Sequence, residues 1–255
     1  MDKDLLEVQR KNLSNLLKEC DENKFLLEEE QFTYVYTYDA ISMEGKNKIP
    51  FEDVKRLIKH KTLPEYSERE QKEVLNHVKA FEWVKKYAGE NRDVTEDMLK
   101  DLHELLVDGI FQGGVYRNVN IQIIGATHQP PDYVKVYDRM AKVFRNLADF
   151  EGTPIERAVY INAAISKIHP FLDANGRVAR LLMNYYLIKA GYLPVSVPVG
   201  LREEYFKNLE IFKIEKNLTP LVEFITGLLV KRYENIINNL EIWVLSTLFS
   251  LFLLI

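Results

Sequence analysis

Twelve consecutive residues, His169-Pro170-Phe171-Leu172-Asp173-Ala174-Asn175-Gly176-Arg177-Val178-Ala179-Arg180, place a base, a hard oxygen ligand, a run of small residues and two arginines side by side. His169 titrates near neutrality and can take a proton from an attacking hydroxyl. Asp173 is the kind of carboxylate that Mg2+ takes beside substrate oxygens. Small residues between Asp173 and Gly176 would leave backbone N–H groups uncovered where a helix opens, and the helix dipole adds positive potential there, which makes an anion site. Arg177 and Arg180, three residues apart, project from one side of the first turn and can clamp further phosphate oxygens. A phosphate cradle, a metal and a base are the parts of phosphoryl or nucleotidyl transfer, chemistry that rests on positioning and charge stabilisation. Alone, His-Pro usually ends a helix and Asn-Gly usually makes a turn. In this order and between two helices they are far harder to explain as packing.

Helices must position that run. Leu5, Leu6, Leu13, Leu16 and Leu17 give loose helical spacing from Asp4 to about Lys18, and a second helix is expected from Glu28–Glu30 towards Met43 with Phe32, Tyr36 and Tyr38. Ser67 and Glu70 form a capping box ahead of Val74, Val78, Phe81 and Ala88. Thr95 can cap the segment with Leu99, Leu102, Leu105 and Leu106. Thr153-Pro154 starts a helix through Ile168, Thr219-Pro220 repeats the device before Leu221–Leu240, and Gly191 closes the helix ending at Lys189-Ala190. One stretch breaks the pattern. After Gly113-Gly114-Val115-Tyr116-Arg117, the residues Val119-Asn120-Ile121-Gln122-Ile123 alternate with period two until Gly125 and Pro130-Pro131, which predicts a short β-hairpin in an otherwise α-helical body.

The 255 residues carry 47% hydrophobic and 28% charged side chains, which suits a globular core and excludes disordered or collagenous readings. Lys and Arg number 34 against 38 Asp and Glu, so no general basic field points to nucleic acid. Cys20 is the only cysteine, which excludes an intrachain disulfide, a cysteine zinc site and a CxxC redox pair. The charged opening Met1-Asp2-Lys3-Asp4 does not read as a secretory signal, and a reducing, cytoplasmic setting is expected. The stretch Ile242–Ile255 has no ionisable side chain over fourteen residues. That is short of the about 20 apolar residues of a membrane-spanning helix. It is expected to pack as a terminal helix against the body or a second subunit, with a homo-oligomer as one consequence and membrane tethering as the alternative. The organisation expected is an N-terminal helical arm (1–60), a catalytic domain (61–240) and an apolar tail (241–255). No P-loop, GxGxxG or HExxH is present, and His60, His77, His103 and His128 show no ligand spacing.

The run at His169 resembles the signature of the Fic family, H-x-F-x-[DE]-[GA]-N-[GK]-R-x-x-R, at every specified position, with Ala174 as the small residue and Gly176 in the Gly/Lys slot. The resemblance continues through Leu181-Leu182-Met183-Asn184 and Ala190-Gly191-Tyr192 and back to about Glu30, covering most of the chain as far as about Ile225. It implies a Fic-type helical bundle with a hairpin flap. The implied activity is transfer of AMP from ATP to a hydroxyl side chain (Tyr, Ser or Thr) of a target protein docked along the flap. On that resemblance His169 is the general base and Asp173 holds Mg2+. Asn175, Gly176 and Arg177 contact phosphates, with Asp173 and Ala174 in the same loop, and Arg180 holds the γ-phosphate. Gly125, Ala126, Thr127 and His128 form the nucleotide side of the flap, and Tyr205 and Phe206 line the adenine pocket.

The family's inhibitory motif, [ST]-x-x-x-E-[GN], is resembled by Ala40-Ile41-Ser42-Met43-Glu44-Gly45, with Ala40 in place of the hydroxyl residue. Glu44 is expected to pair with Arg180 and take the place of the γ-phosphate, at roughly 1.5–3 kcal/mol per charged hydrogen bond before desolvation. Loss of the hydroxyl at Ala40 would loosen that brake. Three other readings stay open: removal of AMP with Glu44 positioning water, transfer of another phosphate-containing group, and a non-catalytic nucleotide-binding interaction module. Gly176 argues against the phosphorylating relatives, which resemble the pattern with Lys in that slot, and an intact His169 argues against a pure binder.

Overall fold

The computed structural model describes residues 2–123 and 127–252. Among these residues the chain runs α1 (Asp2–Leu16), α2 (Glu22–Ser42), α3 (Phe51–His60), α4 (Glu68–Gly89), α5 (Glu96–Val107), α6 (Val136–Ala148), α7 (Pro154–Ile168), α8 (Asn175–Lys189), α9 (Arg202–Glu215) and α10 (Thr219–Phe252). Several helices start where a side chain can satisfy their first N–H groups. Ser67 and Glu70 close a reciprocal capping box on α4, and Thr153 and Glu156 do the same on α7, with Pro154 in the first turn. Thr95 accepts from the Met98 N–H at α5. At α10 the accepting side chain is Asn217, which bonds the Thr219 N–H at 3.1 Å, so Thr219 itself is not the cap.

The centre of the bundle is α8, packed most extensively against α7 and then α4, with α5 and α2 completing the ring. Val178, Leu181, Leu182, Tyr185 and Leu187 are all fully buried. A helix apolar on nearly every side has to be enclosed, and the site run at its N-terminus is thereby fixed to the most constrained element of the fold. Leu6, Leu13, Phe32 and Met43 of the N-terminal region belong to the same core. A smaller cluster of Ile41, Ile49, Val54, Leu57, Leu63 and Val74 ties the end of α2 to α3 and α4. It holds Glu44 and Lys46 over the site.

Two expectations change. Among the described residues no strand forms, so the hairpin predicted over Val119–Ile123 is instead a loop stapled by side chains. Gln129 accepts from the Ile123 N–H at 2.9 Å and donates to the Ile123 carbonyl at 3.2 Å, while Asn120 accepts from the Tyr133 N–H at 2.8 Å. A lone alternating segment has no sheet to join, and side-chain amides supply the partners a strand would have given. At the other end α10 does not stop near Leu240. No glycine or proline follows to end it, and it continues to Phe252, with Lys24 of α2 placed 3.7 Å over the Trp243 ring. No helix among the described residues is long and apolar enough to cross a membrane. Residues 253–255 of the tail, and Gly125 and Ala126 of the expected flap, lie outside the described residues.

Candidate active site

Helix α7 ends on His169, whose backbone is left-handed (φ 49°) and whose N–H bonds the Ile165 carbonyl at 2.8 Å. Pro170 cannot continue the ladder, so the imidazole is left at the mouth of the next turn. Its Nδ1 lies 3.0 Å from the Ser166 carbonyl, which can only accept. Nδ1 therefore carries the proton in the neutral ring, and Nε2 presents a lone pair. Burial is the largest influence on this group and pushes its pKa down to about 4, against an opposing contribution from the Ser166 bond. At neutral pH His169 is unprotonated, as a base must be.

The loop to α8 is shaped by Asn175, whose Oδ1 accepts from the Phe171 N–H and whose Nδ2 donates to the Phe171 carbonyl, both at 2.9 Å. Its side chain thus ties the loop together through one bond at each end of the amide. Ala174 sits in the left-handed region (φ 61°) and is buried, which explains why only a small residue fits. No side chain caps α8. Its first N–H groups face the loop mouth, as an anion site requires. Arg177 is buried there, and its Nε and Nη1 have no hydrogen-bond partner among the described residues. Buried guanidinium donors of that kind fit a phosphate.

Asp173 closes the other side. Burial pushes its carboxyl upward, but the Ala174 N–H at 2.8 Å, Lys46 and Arg177 outweigh that and hold it below the usual carboxylate value. A single ionised carboxylate beside an open helix N-terminus suits Mg2+, which fills its remaining positions with water and substrate oxygens. Lys46 now stands on that carboxylate at 3.2 Å, with Arg69 at 3.4 Å.

Both Lys46 and Glu44 come from the turn after α2. Glu44 Oε1 lies 3.8 Å from Arg177 Nε, so the ion pair is with Arg177 and not with Arg180 as expected from the sequence. Arg180 instead donates to the Ala40 carbonyl at 2.9 Å, one of the orphan carbonyls at the end of α2. Arg202 meets a second, the Met43 carbonyl, at 2.8 Å. Gly176 permits this arrangement, since a Cβ there would lie 3.1 Å from both Glu44 Oε1 and Arg180 Nη1. The helix lacks a hydroxyl at Ala40 but is anchored one residue earlier. Asp39, buried, accepts from Ser196 Oγ at 2.7 Å and from the Val199 N–H at 3.2 Å.

Of the expected flap residues, Thr127 is exposed and His128 is half-buried, its N–H on Glu210 Oε1 at 2.6 Å. Of the expected adenine pair, Tyr205 belongs to the core, with its hydroxyl on Asn162 at 3.0 Å. Phe206 remains accessible beneath the Arg202 guanidinium. Two supporting residues escape a reading by motif. Arg117, buried, donates to the carbonyls of His169 (2.8 Å), Val119 (2.9 Å) and Pro131, clamping the flap loop to the base. His103 lies flat on Phe171, with ring centroids 3.7 Å apart, and takes the Gly114 N–H on Nδ1. An arginine in an apolar alternation and a histidine in a leucine stripe were the available signals.

Residues 93–187 match the family model described as the Fic/DOC family. The chain is 27% identical over 201 residues to the protein adenylyltransferase fic-1 of Caenorhabditis briggsae, covering 75% of this chain and 39% of that protein. It is 26% identical over 220 residues to the protein adenylyltransferase Fic of Drosophila persimilis, covering 84% and 42%. The chain thus spans about two fifths of the length of these curated relatives. In fold it is similar to the crystal structure of a Fic domain containing signaling protein from Bacteroides thetaiotaomicron, at a TM-score of 0.85 and 20% identity, covering 93% of this chain and 97% of that one.

Proposed function

Residues 93–187 are a Fic domain, and on that premise we propose that this chain transfers AMP from ATP to a Tyr, Ser or Thr hydroxyl of a target protein, with Glu44 as a brake. One observation carries the reading. A neutral His169 with Nε2 free to accept stands beside the uncapped start of α8, where the buried Arg177 has Nε and Nη1 without a hydrogen bond among the described residues, its Nε facing Glu44 at 3.8 Å. Base and anion cradle are parts of one turn, the arrangement a hydroxyl attack on a phosphate needs.

In this reaction His169 takes the proton of the target hydroxyl as its oxygen bonds the α-phosphorus. The bond from that phosphorus to the bridging oxygen breaks, and pyrophosphate leaves. The α8 N–H groups and Arg177 meet phosphate oxygens, and Phe206 gives a face for the adenine. Mg2+, held by Asp173, would offset charge on the phosphates. Glu44 occupies Arg177 and Lys46 occupies Asp173 from the same turn, so withdrawal of that turn frees the anion site and the carboxylate together. The target segment lies along the loop that Arg117 ties to His169 through the Val119 and Pro131 carbonyls. The sole cysteine is consistent with a reducing, cytoplasmic setting.

Intact-mass measurement after incubation with ATP and Mg2+ tests this. Glu44→Gly should accumulate AMP adducts faster than the unaltered chain, and His169→Ala should bind ATP and carry none. Equal adduct levels in Glu44→Gly and the unaltered chain would remove the braking role.

A further inference from the structure

A cavity of about 700 Å³ opens on the outer side of α7, between α6, α9 and the end of the flap loop. It is of ligand-pocket size, for which about 300–1,000 Å³ is usual. No residue of the His169–Arg180 run lines it, nor does Tyr205 or Phe206. Its floor is apolar, with Val143, Ala164, Ile168, Phe212 and Leu218. Around that floor stand Arg139 and Lys142 from α6, Lys167 from α7 and Lys216 after α9, and no Asp or Glu is in the lining. In a chain of net charge −4 this is a local reversal of sign. The nearby carboxylate of Glu210 is already engaged, by the His128 N–H at 2.6 Å and by Lys213 at 3.7 Å. Burial lowers the Lys167 pKa, and the neighbouring Lys216 and Arg139 lower it further, so these cations are crowded and not neutralised by one another.

We propose that this cavity is the docking site for an acidic segment of the target protein: one apolar side chain enters the cavity and carboxylates on either side of it meet the cationic rim. This inference rests on the flap reading above. The four cations come from three elements and encircle an apolar hole, whereas a phosphate site gathers donors on one point and uses a helix N-terminus or glycine loop. No glycine is in the lining, and at the one lining residue that directly precedes a helix, Leu218 before α10, Asn217 already takes the Thr219 N–H. His128, Gln129 and Pro131 form one wall, so the cavity continues directly from the loop along which the target is aligned. A peptide lying on that loop would reach it without leaving the surface. Complementary charge around a buried apolar anchor is the usual division between specificity and affinity at such surfaces.

The probe is a fluorescein-labelled peptide, Asp-Glu-Phe-Glu-Asp, followed by fluorescence anisotropy with the full chain. It should bind, weaken with added salt, and lose affinity at least about tenfold in the double variant Lys142→Glu, Lys216→Glu. Replacing its Phe by Ala should cost a similar factor. The proposal is overturned if Lys-Lys-Phe-Lys-Lys binds as well, or if the double variant binds the acidic peptide as the unaltered chain does. It is equally overturned if inorganic phosphate displaces the peptide while Phe→Ala changes nothing, which would mark a simple anion site. Circular dichroism of the double variant checks its fold. In the Glu44→Gly background the double variant should keep its ATP-dependent self-modification. Loss of labelling in every variant with peptide binding intact would fault the AMP-transfer reading and not this surface.

Discussion

Asn175 shows how much of the site depends on a side chain that touches no reacting atom. Both ends of its amide are taken by Phe171, and both Phe171 groups are buried. Asn175→Ala would leave a buried N–H and a buried carbonyl unmatched, at about 2 kcal/mol or more. The variant should melt several degrees lower and lose ATP affinity, as thermal unfolding with and without ATP will register. A variant as stable as the unaltered chain would show that the loop does not need this bond pair. The side chains proposed for the chemistry were legible in the sequence because their types announce it: His169, Asp173 and Arg177 sit at one turn between α7 and α8. Partner choice was not legible. Which arginine Glu44 meets depends on how the end of α2 is held, and that is decided by Arg180 on the Ala40 carbonyl, more than a hundred residues away in sequence.

Among the elements, α2 is the one whose end brings Glu44 and Lys46 onto Arg177 and Asp173. Its last turn has no basic residue of its own. Its carbonyls are met by Arg180 and Arg202, and its side is pinned by Asp39 to Ser196 and Val199. Asp39→Ala removes two anchors without touching Glu44, so the turn carrying Glu44 and Lys46 should lift more often. Self-modification with ATP should rise to a level between the unaltered chain and Glu44→Gly. A rate equal to that of the unaltered chain would mean Asp39 anchors nothing that matters for the brake. Capping residues and leucine spacing make α4, α5 and α7 readable in the sequence itself. Three helices, α3, α6 and α9, were not marked out. In α6 the apolar residues Val136, Met140, Val143 and Leu147 do recur at helical spacing, but no side-chain cap marks where the helix begins. The hairpin failed for the opposite reason. Alternation is only a local preference, and no second strand forms among the described residues; Gln129 meets the Ile123 N–H and carbonyl, and Arg117 the Val119 carbonyl.

For the whole molecule the buried histidines set the pH behaviour. Burial holds His77 well below its ordinary value, and holds His103 and His169 at about 4. Unfolded, each takes a proton near pH 6.5. As pH falls through the window from about 6.5 to about 4, the unfolded chain binds protons that the folded chain does not, so stability is present above this window and is lost across it. For His103 and His169 this is roughly 2 kcal/mol each at about pH 5. Asp39 and Glu29, raised by burial, act in the opposite sense and offset part of it. The urea midpoint should therefore drop between about pH 7.5 and about pH 5. A midpoint that holds or rises would contradict this assignment.

The proposed transfer moves the AMP part of ATP and runs through His169. The most direct measurement incubates Glu44→Gly with Mg2+ and ATP radiolabelled at either the α- or the γ-phosphate, then follows protein-bound label, with the Glu44→Gly, His169→Ala double variant in parallel. Label from the α-position alone, absent in the double variant, is the predicted result. Protein-bound label from the γ-position, or α-label that persists without His169, would contradict it.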